Sequence, residues 1–90
     1  MEKEDQIKVK FSKIILPLIK AHKSFEAKAL FDDIAKEWLV AIYFNKNGRL
    51  ESLVFAQTKK EEVAKEVAEF LQKLIDEASP PKRPEEILKI

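Results

Sequence analysis

Ninety residues, 46% of them hydrophobic and 37% charged, suffice for one compact domain and exclude a disordered chain. The lack of cysteine excludes disulfides and thiolate metal sites, and no apolar run reaches the ~18–20 residues of a membrane span. A formal charge of +1 excludes a strongly basic protein, although residues 1–30 hold seven lysines against four acids and residues 61–90 five basic residues against eight acids.

The start MEKEDQ is too acidic for a secretory signal, so a cytoplasmic protein is expected. Ile7, Val9 and Phe11 then alternate with Lys8, Lys10 and Ser12, the pattern of a half-buried strand. The run Ile14 to Ile19 is apolar but broken by Pro17, which marks a strand edge, a bulge or a strand end; a helix through Pro17 would need a kink. His22 follows in a lysine-flanked loop, where an exposed imidazole is expected.

Ser24 to Lys36 carries two periods. Phe25, Ala27, Ala29 and Phe31 fit one strand face, whereas Ala27, Leu30, Phe31, Ile34 and Trp38 fit a helical stripe with Ser24 as N-cap. Alanine, leucine, lysine and glutamate favour helix over strand, so a helix is expected here.

Asn47-Gly48 separates two β-rich runs and suits a two-residue type I′ turn, in which both central residues need positive φ. That turn would set Phe44 opposite Glu51, Ile42 opposite Leu53 and Val40 opposite Phe55. One face then carries Trp38, Val40, Ile42, Phe44, Leu53 and Phe55, the candidate core. The other carries Leu39, Ala41, Tyr43, Leu50, Val54 and Ala56. A solvated face is normally polar, so this second apolar face is expected to be covered by a partner.

Thr58 with Glu61 reads as a capping box that opens a long last helix. Val63, Ala64, Val67, Phe70, Leu71, Leu74, Ile75 and Ala78 form its apolar stripe, with Glu61–Lys65 and Glu69–Lys73 as outer ion pairs. SPPKRP ends it. The sequence therefore predicts a single α+β domain over 1–78 and a Pro-rich tail over 79–90. The expected order is β-α-β-β-α, a two-layer sandwich with an antiparallel-containing sheet and both helices on one face. The alternative is α-β-β-β-α, in which the first third is helical.

No nucleophile–base–orienter set, Gly-rich phosphate loop, HExxH or CxxC is present, so no enzyme, cofactor or small-molecule substrate is expected. Asp32, Asp33 and Glu37 read as a solvated acidic patch rather than a metal or acid–base site. Lys59 and Lys60 could contact phosphate at the start of the last helix.

The order strand, helix (SFEAKALFDDIAK), hairpin and long helix (KKEEVAKEVAEFLQKLIDEA) resembles the small dimerising subunits of KEOPS, the complex that makes threonylcarbamoyladenosine on tRNA. The chain departs from that family in its short helix-to-hairpin connection and in Gln72-Lys73 where an Arg-Trp-like pair is expected. The resemblance implies a non-catalytic subunit that dimerises and docks in a tRNA-modification complex. The stretch WLVAIYFNKNGRLESLVFAQTKKEE also resembles the second half of a double-stranded-RNA-binding domain. Thr58, Lys59 and Lys60 match the Ser-Lys-Lys-like start of that family's last helix. Val63 replaces its third lysine, and Asp-Asp-Ile-Ala-Lys-Glu replaces its Gly-Pro-x-His loop. This second resemblance implies RNA contact through Lys59 and Lys60.

Overall fold

A computed structural model describes residues 2–79; the tail beyond Ser79 lies outside the described residues. The chain runs α1 (Glu2–Lys10), a π-helical turn (Phe11–Ile15), α2 (Leu16–Ala21), β1 (Lys23–Asp32), β2 (Glu37–Lys46), β3 (Arg49–Thr58) and α3 (Glu61–Ala78). The strands form one antiparallel sheet in the order β1-β2-β3. The domain is thus α+β, but its order is α-β-β-β-α and not β-α-β-β-α. Both ambiguous segments of the first third are exchanged, helix for strand and strand for helix.

The first exchange follows from a stripe that the alternation concealed. Phe11, Ile15 and Ile19 are buried and Ile7 packs against the same core, whereas Val9, which a strand would turn to that same side, is 54% exposed; a helix keeps the four-residue stripe together and turns Val9 away. Backbone angles stay helical through both junctions, so α1, the π turn and α2 form one N-terminal helix. Pro17 is accommodated rather than fatal. It lacks an N–H, and its ring would clash with the Lys13 carbonyl in a regular helix. The chain widens just before it, and the Leu16 N–H reaches back to the Phe11 carbonyl. Each four-residue step overshoots an α-helical turn by about 40°. A π turn, with more residues per revolution, takes back part of that drift and keeps Ile15 and Ile19 on the core.

The second exchange is tertiary. α3 lies chiefly over β1, where the small side chains of Ala27 and Ala29 face the core and let the helix approach. Packing of this kind outweighs the helix propensity of alanine. The would-be helical stripe is dispersed: Leu30 and Phe31 point to opposite sides, and Ile34 stands 95% exposed at a turn. Ser24 is no N-cap; it sits at φ +64° beside a register break between Lys23 and Glu26. Asp32 builds the β1–β2 turn, its Oδ1 accepting from the Ile34 N–H at 2.9 Å and the Ala35 N–H at 3.3 Å.

The β2–β3 hairpin turns at Asn47 (φ +54°) and Gly48 (φ +86°), with Asn45 Oδ1 accepting from the Gly48 N–H at 2.8 Å. The expected register holds from Lys46↔Arg49 to Ala41↔Val54 and then slips by one, so that Val40 faces Ala56 and not Phe55. Phe55 is the extra residue of a β-bulge. Val40, Ile42 and Phe55 are buried with Phe11, Ile15 and Ile19 of the N-terminal helix and Ala64, Ala68, Leu71 and Ile75 of α3, in one cluster.

α3 has the predicted stripe but not the predicted cap. Thr58 closes β3, and its Oγ1 accepts from the Lys60 N–H at 3.2 Å; the helix N-cap is Lys60, without a side-chain cap. Glu61 and Lys65 pair at 2.7 Å, and this hydrogen bond, helped by the opposite charge, raises the Lys65 pKa above its ordinary value. Glu69 and Lys73 do not pair. Instead Gln72 Nε2 donates to Asp76 Oδ1 at 3.0 Å. Among the described residues no helix is long and apolar enough to cross a membrane.

Candidate partner surface

Strand alternation leaves the sheet side opposite the core to Glu26, Lys28 and Leu30 of β1, Leu39, Ala41, Tyr43 and Asn45 of β2, and Leu50, Ser52, Val54 and Gln57 of β3. The register sorts them into rows across the sheet: Leu30–Leu39–Gln57, Lys28–Ala41–Val54, Glu26–Tyr43–Ser52 and Asn45–Leu50. Leu50 is 76% exposed, Val54 51% and Leu30 37%, while Ala41, in the central strand, is buried. Lys28 lies 3.9 Å from Glu26 and 6.0 Å from the ring centroid of Tyr43, so its charge rims the apolar centre rather than interrupting it.

Of the six residues expected here, Leu39, Ala41, Tyr43, Leu50 and Val54 lie together on the open side. Ala56 does not: the Phe55 bulge turns it to the side of Val40, where it packs against the core. Leu30 joins the surface instead. It alternates with Ala27 and Ala29 along β1, whereas the helical stripe expected here sets Leu30 beside Ala27 on the core side.

Lys59 and Lys60 are exposed between β3 and α3. The lysines of the first third are dispersed. Lys10 reaches the Phe55 carbonyl and lies over its ring, and Lys28 is on the open side. Lys20 and Lys23 line a hollow with Asn45, Asn47 and Gly48 at the β2–β3 turn. That turn is a strand length, about 30 Å, from Lys59.

His22 departs from the exposed imidazole expected of it. It is half-buried with its ring stacked on Phe44 at 5.7 Å, and Phe44 in turn stacks on Phe25 at 4.9 Å. Its Nδ1 is buried without a hydrogen-bond partner among the described residues. Trp38 meets Phe31 edge-on at 5.4 Å.

No family model, curated protein or solved structure matches the chain.

Proposed function

We propose that this chain is a non-catalytic interaction subunit that takes a protein partner, itself or another chain, on the open side of its sheet. The supporting observation is the exposure of Leu50 (76%), Val54 (51%) and Leu30 (37%), which the register sets on one side of the sheet around the partly buried Leu39 and the buried Ala41. Contiguous exposed apolar surface of this kind marks interaction sites on soluble domains. The proposal uses a two-layer arrangement, both helices on one side and the partner on the other; the single core cluster shared by both helices supports it. A role in a KEOPS-like tRNA-modification complex is the wider form of this reading. The likeness behind it rested on the order β-α-β-β-α, so the dimerising role is proposed here without that membership.

Tyr43→Asp tests the reading, because it charges the open side without touching the core. Light scattering over a concentration series should show association in the parent chain and its loss in the variant, with an unchanged circular dichroism spectrum. Equal association in both chains sinks the open side as the partner surface.

RNA contact through Lys59 and Lys60 is the second reading. It is favoured by their exposure beside the first N–H groups of α3, which no side chain caps. Affinity for duplex RNA should then fall steeply with salt and weaken when both lysines become alanine. No binding at low salt removes this reading.

A further inference from the structure

We propose that two copies of this chain join through the free edge of β3, turning two three-stranded sheets into one of six strands. This goes beyond docking on the open side, because it names the occupant and uses backbone rather than the sheet face. On each sheet edge one outward backbone group is taken by a helix side chain, and β3 keeps the longer free run. On β1 the outward Ala27 N–H is taken by Gln72 Oε1 of α3 at 2.9 Å, and the strand breaks register at Ser24. On β3 the bulged Phe55 carbonyl is taken by Lys10, but from Arg49 to Val54 no described residue outside β2 hydrogen-bonds the backbone. An uncovered edge of this kind is a template for another strand.

The phase of the ladder says which groups are free. A two-residue turn makes Lys46–Arg49 a hydrogen-bonded pair, so Glu51 and Leu53 also face β2, and Leu50, Ser52 and Val54 direct N–H and C=O outward. Antiparallel pairing about a twofold axis at Ser52 sets Ser52 beside Ser52 of the second copy, and Leu50 beside its Val54. Every outward group is then matched, giving about six hydrogen bonds. The two most exposed apolar side chains on the open side are paired with each other. Slipping by one pair in one direction sets Glu51 against Glu51; slipping in the other runs into the bulge at Phe55. Length and charge thus select one self-complementary register.

The helix layer points the same way. Val9 (54% exposed) and Ile14 (42% exposed) line a shallow apolar hollow with Asp5, Gln6, Lys10 and Lys13. Lys10 is the residue that reaches β3, so this flank lies on the β3 side of the domain. The twofold axis that pairs the strands brings the flank to face its copy. The joint would be about 20 Å long and, through sheet and helix, roughly 20 Å deep. That is at the low end for stable association, so the dimer should form in the micromolar range.

The chain has no cysteine, so Ser52→Cys gives a single thiol. Neighbouring Cα atoms in a hydrogen-bonded antiparallel pair are about 5.5 Å apart, within disulfide reach. Mild oxidation at about 100 µM should convert most of Ser52→Cys to a covalent dimer, while Glu26→Cys on β1 stays largely monomeric. Ser52→Pro removes an outward N–H but no bond to β2, and should raise the dimer dissociation constant at least tenfold by sedimentation. Equal cross-linking of the two cysteine variants, or unchanged association of a folded Ser52→Pro, overturns the edge dimer. If Tyr43→Asp abolishes association while Ser52→Cys does not cross-link, the edge falls and docking on the open side stands. If the parent chain stays monomeric at several hundred micromolar, the edge dimer is wrong, whereas the open side remains testable with another protein.

Discussion

Lys10 and Phe55, forty-five residues apart, meet twice: the ammonium donates to the Phe55 carbonyl and stands 4.7 Å from the centre of its ring. The bulge and the lysine form one device. An extra residue in β3 upsets the ladder, and a cation from the N-terminal helix takes up the carbonyl. Lys10→Met keeps the stem and removes the donor. It should lower unfolding free energy by about 0.5–1.5 kcal/mol in urea titration with an unchanged slope. No loss would mean that water satisfies the carbonyl equally well.

Gln72 does for β1 what Lys10 does for β3, accepting from the Ala27 N–H through its Oε1. Gln72→Leu leaves that N–H on an uncovered edge and should cost about 1 kcal/mol. Hydrogen exchange gives the sharper readout. The Ala27 amide should exchange faster than the global change in stability explains, while that of Ile42, in the central strand, should follow the global change alone.

The parts of this fold legible in the sequence are those in which local chemistry and packing agree. Asn47-Gly48 dictates its own turn and thereby the register as far as Ala41 and Val54. The stripe of α3 is apolar at helical spacing wherever the chain is buried. Elsewhere two levels disagree. Ile7 and Phe11 belong to a four-residue stripe, yet Val9 between them is exposed and imitates strand alternation. Ala27 and Ala29 favour helix by propensity but are small because α3 crosses them. The bulge that removes Ala56 from the candidate surface has no sequence mark, since Phe55 is neither glycine nor preceded by one. Leu39, Ala41, Tyr43, Leu50 and Val54 lie where the pattern put them because the turn that sets their phase is local.

Lys65 supplies a test that turns on pH. Its hydrogen bond to Glu61, and secondarily their opposite charge, raise its pKa in the folded chain. A lysine pKa raised by folding adds stability that is fully present below its unfolded value. That stability is lost as pH rises through the folded value, so it disappears only in alkaline solution above the ordinary lysine range. NMR titration should find the Lys65 ammonium deprotonating above the ordinary lysine value. Glu61→Gln should bring it down towards the ordinary lysine value. If Lys65 titrates the same way in both chains, the pair does not persist in solution.

Backbone angles separate two substitutions that side-chain contacts would rank the other way. A Cβ at Gly48 would meet nothing within 4 Å, so Gly48→Ala looks harmless by packing. Its φ of +86° places it where an L-residue is strained by roughly 1–2 kcal/mol, partly offset by about 0.4–1 kcal/mol from a stiffer unfolded chain. Lys36 presents the reverse case. It closes the β1–β2 turn at φ +58°, donating from its N–H to the Asp32 carbonyl at 2.8 Å, and its side chain is exposed. Lys36→Gly relieves the strain, keeps the backbone bond and gives back the entropic term. Gly48→Ala should therefore lower the melting temperature and Lys36→Gly raise it, each by a stability change of roughly 0.5–1 kcal/mol. Thermal unfolding of the two single variants and of the double variant, in which the changes should nearly cancel, decides the matter; a loss from Lys36→Gly would show that the turn draws its stability from the lysine itself.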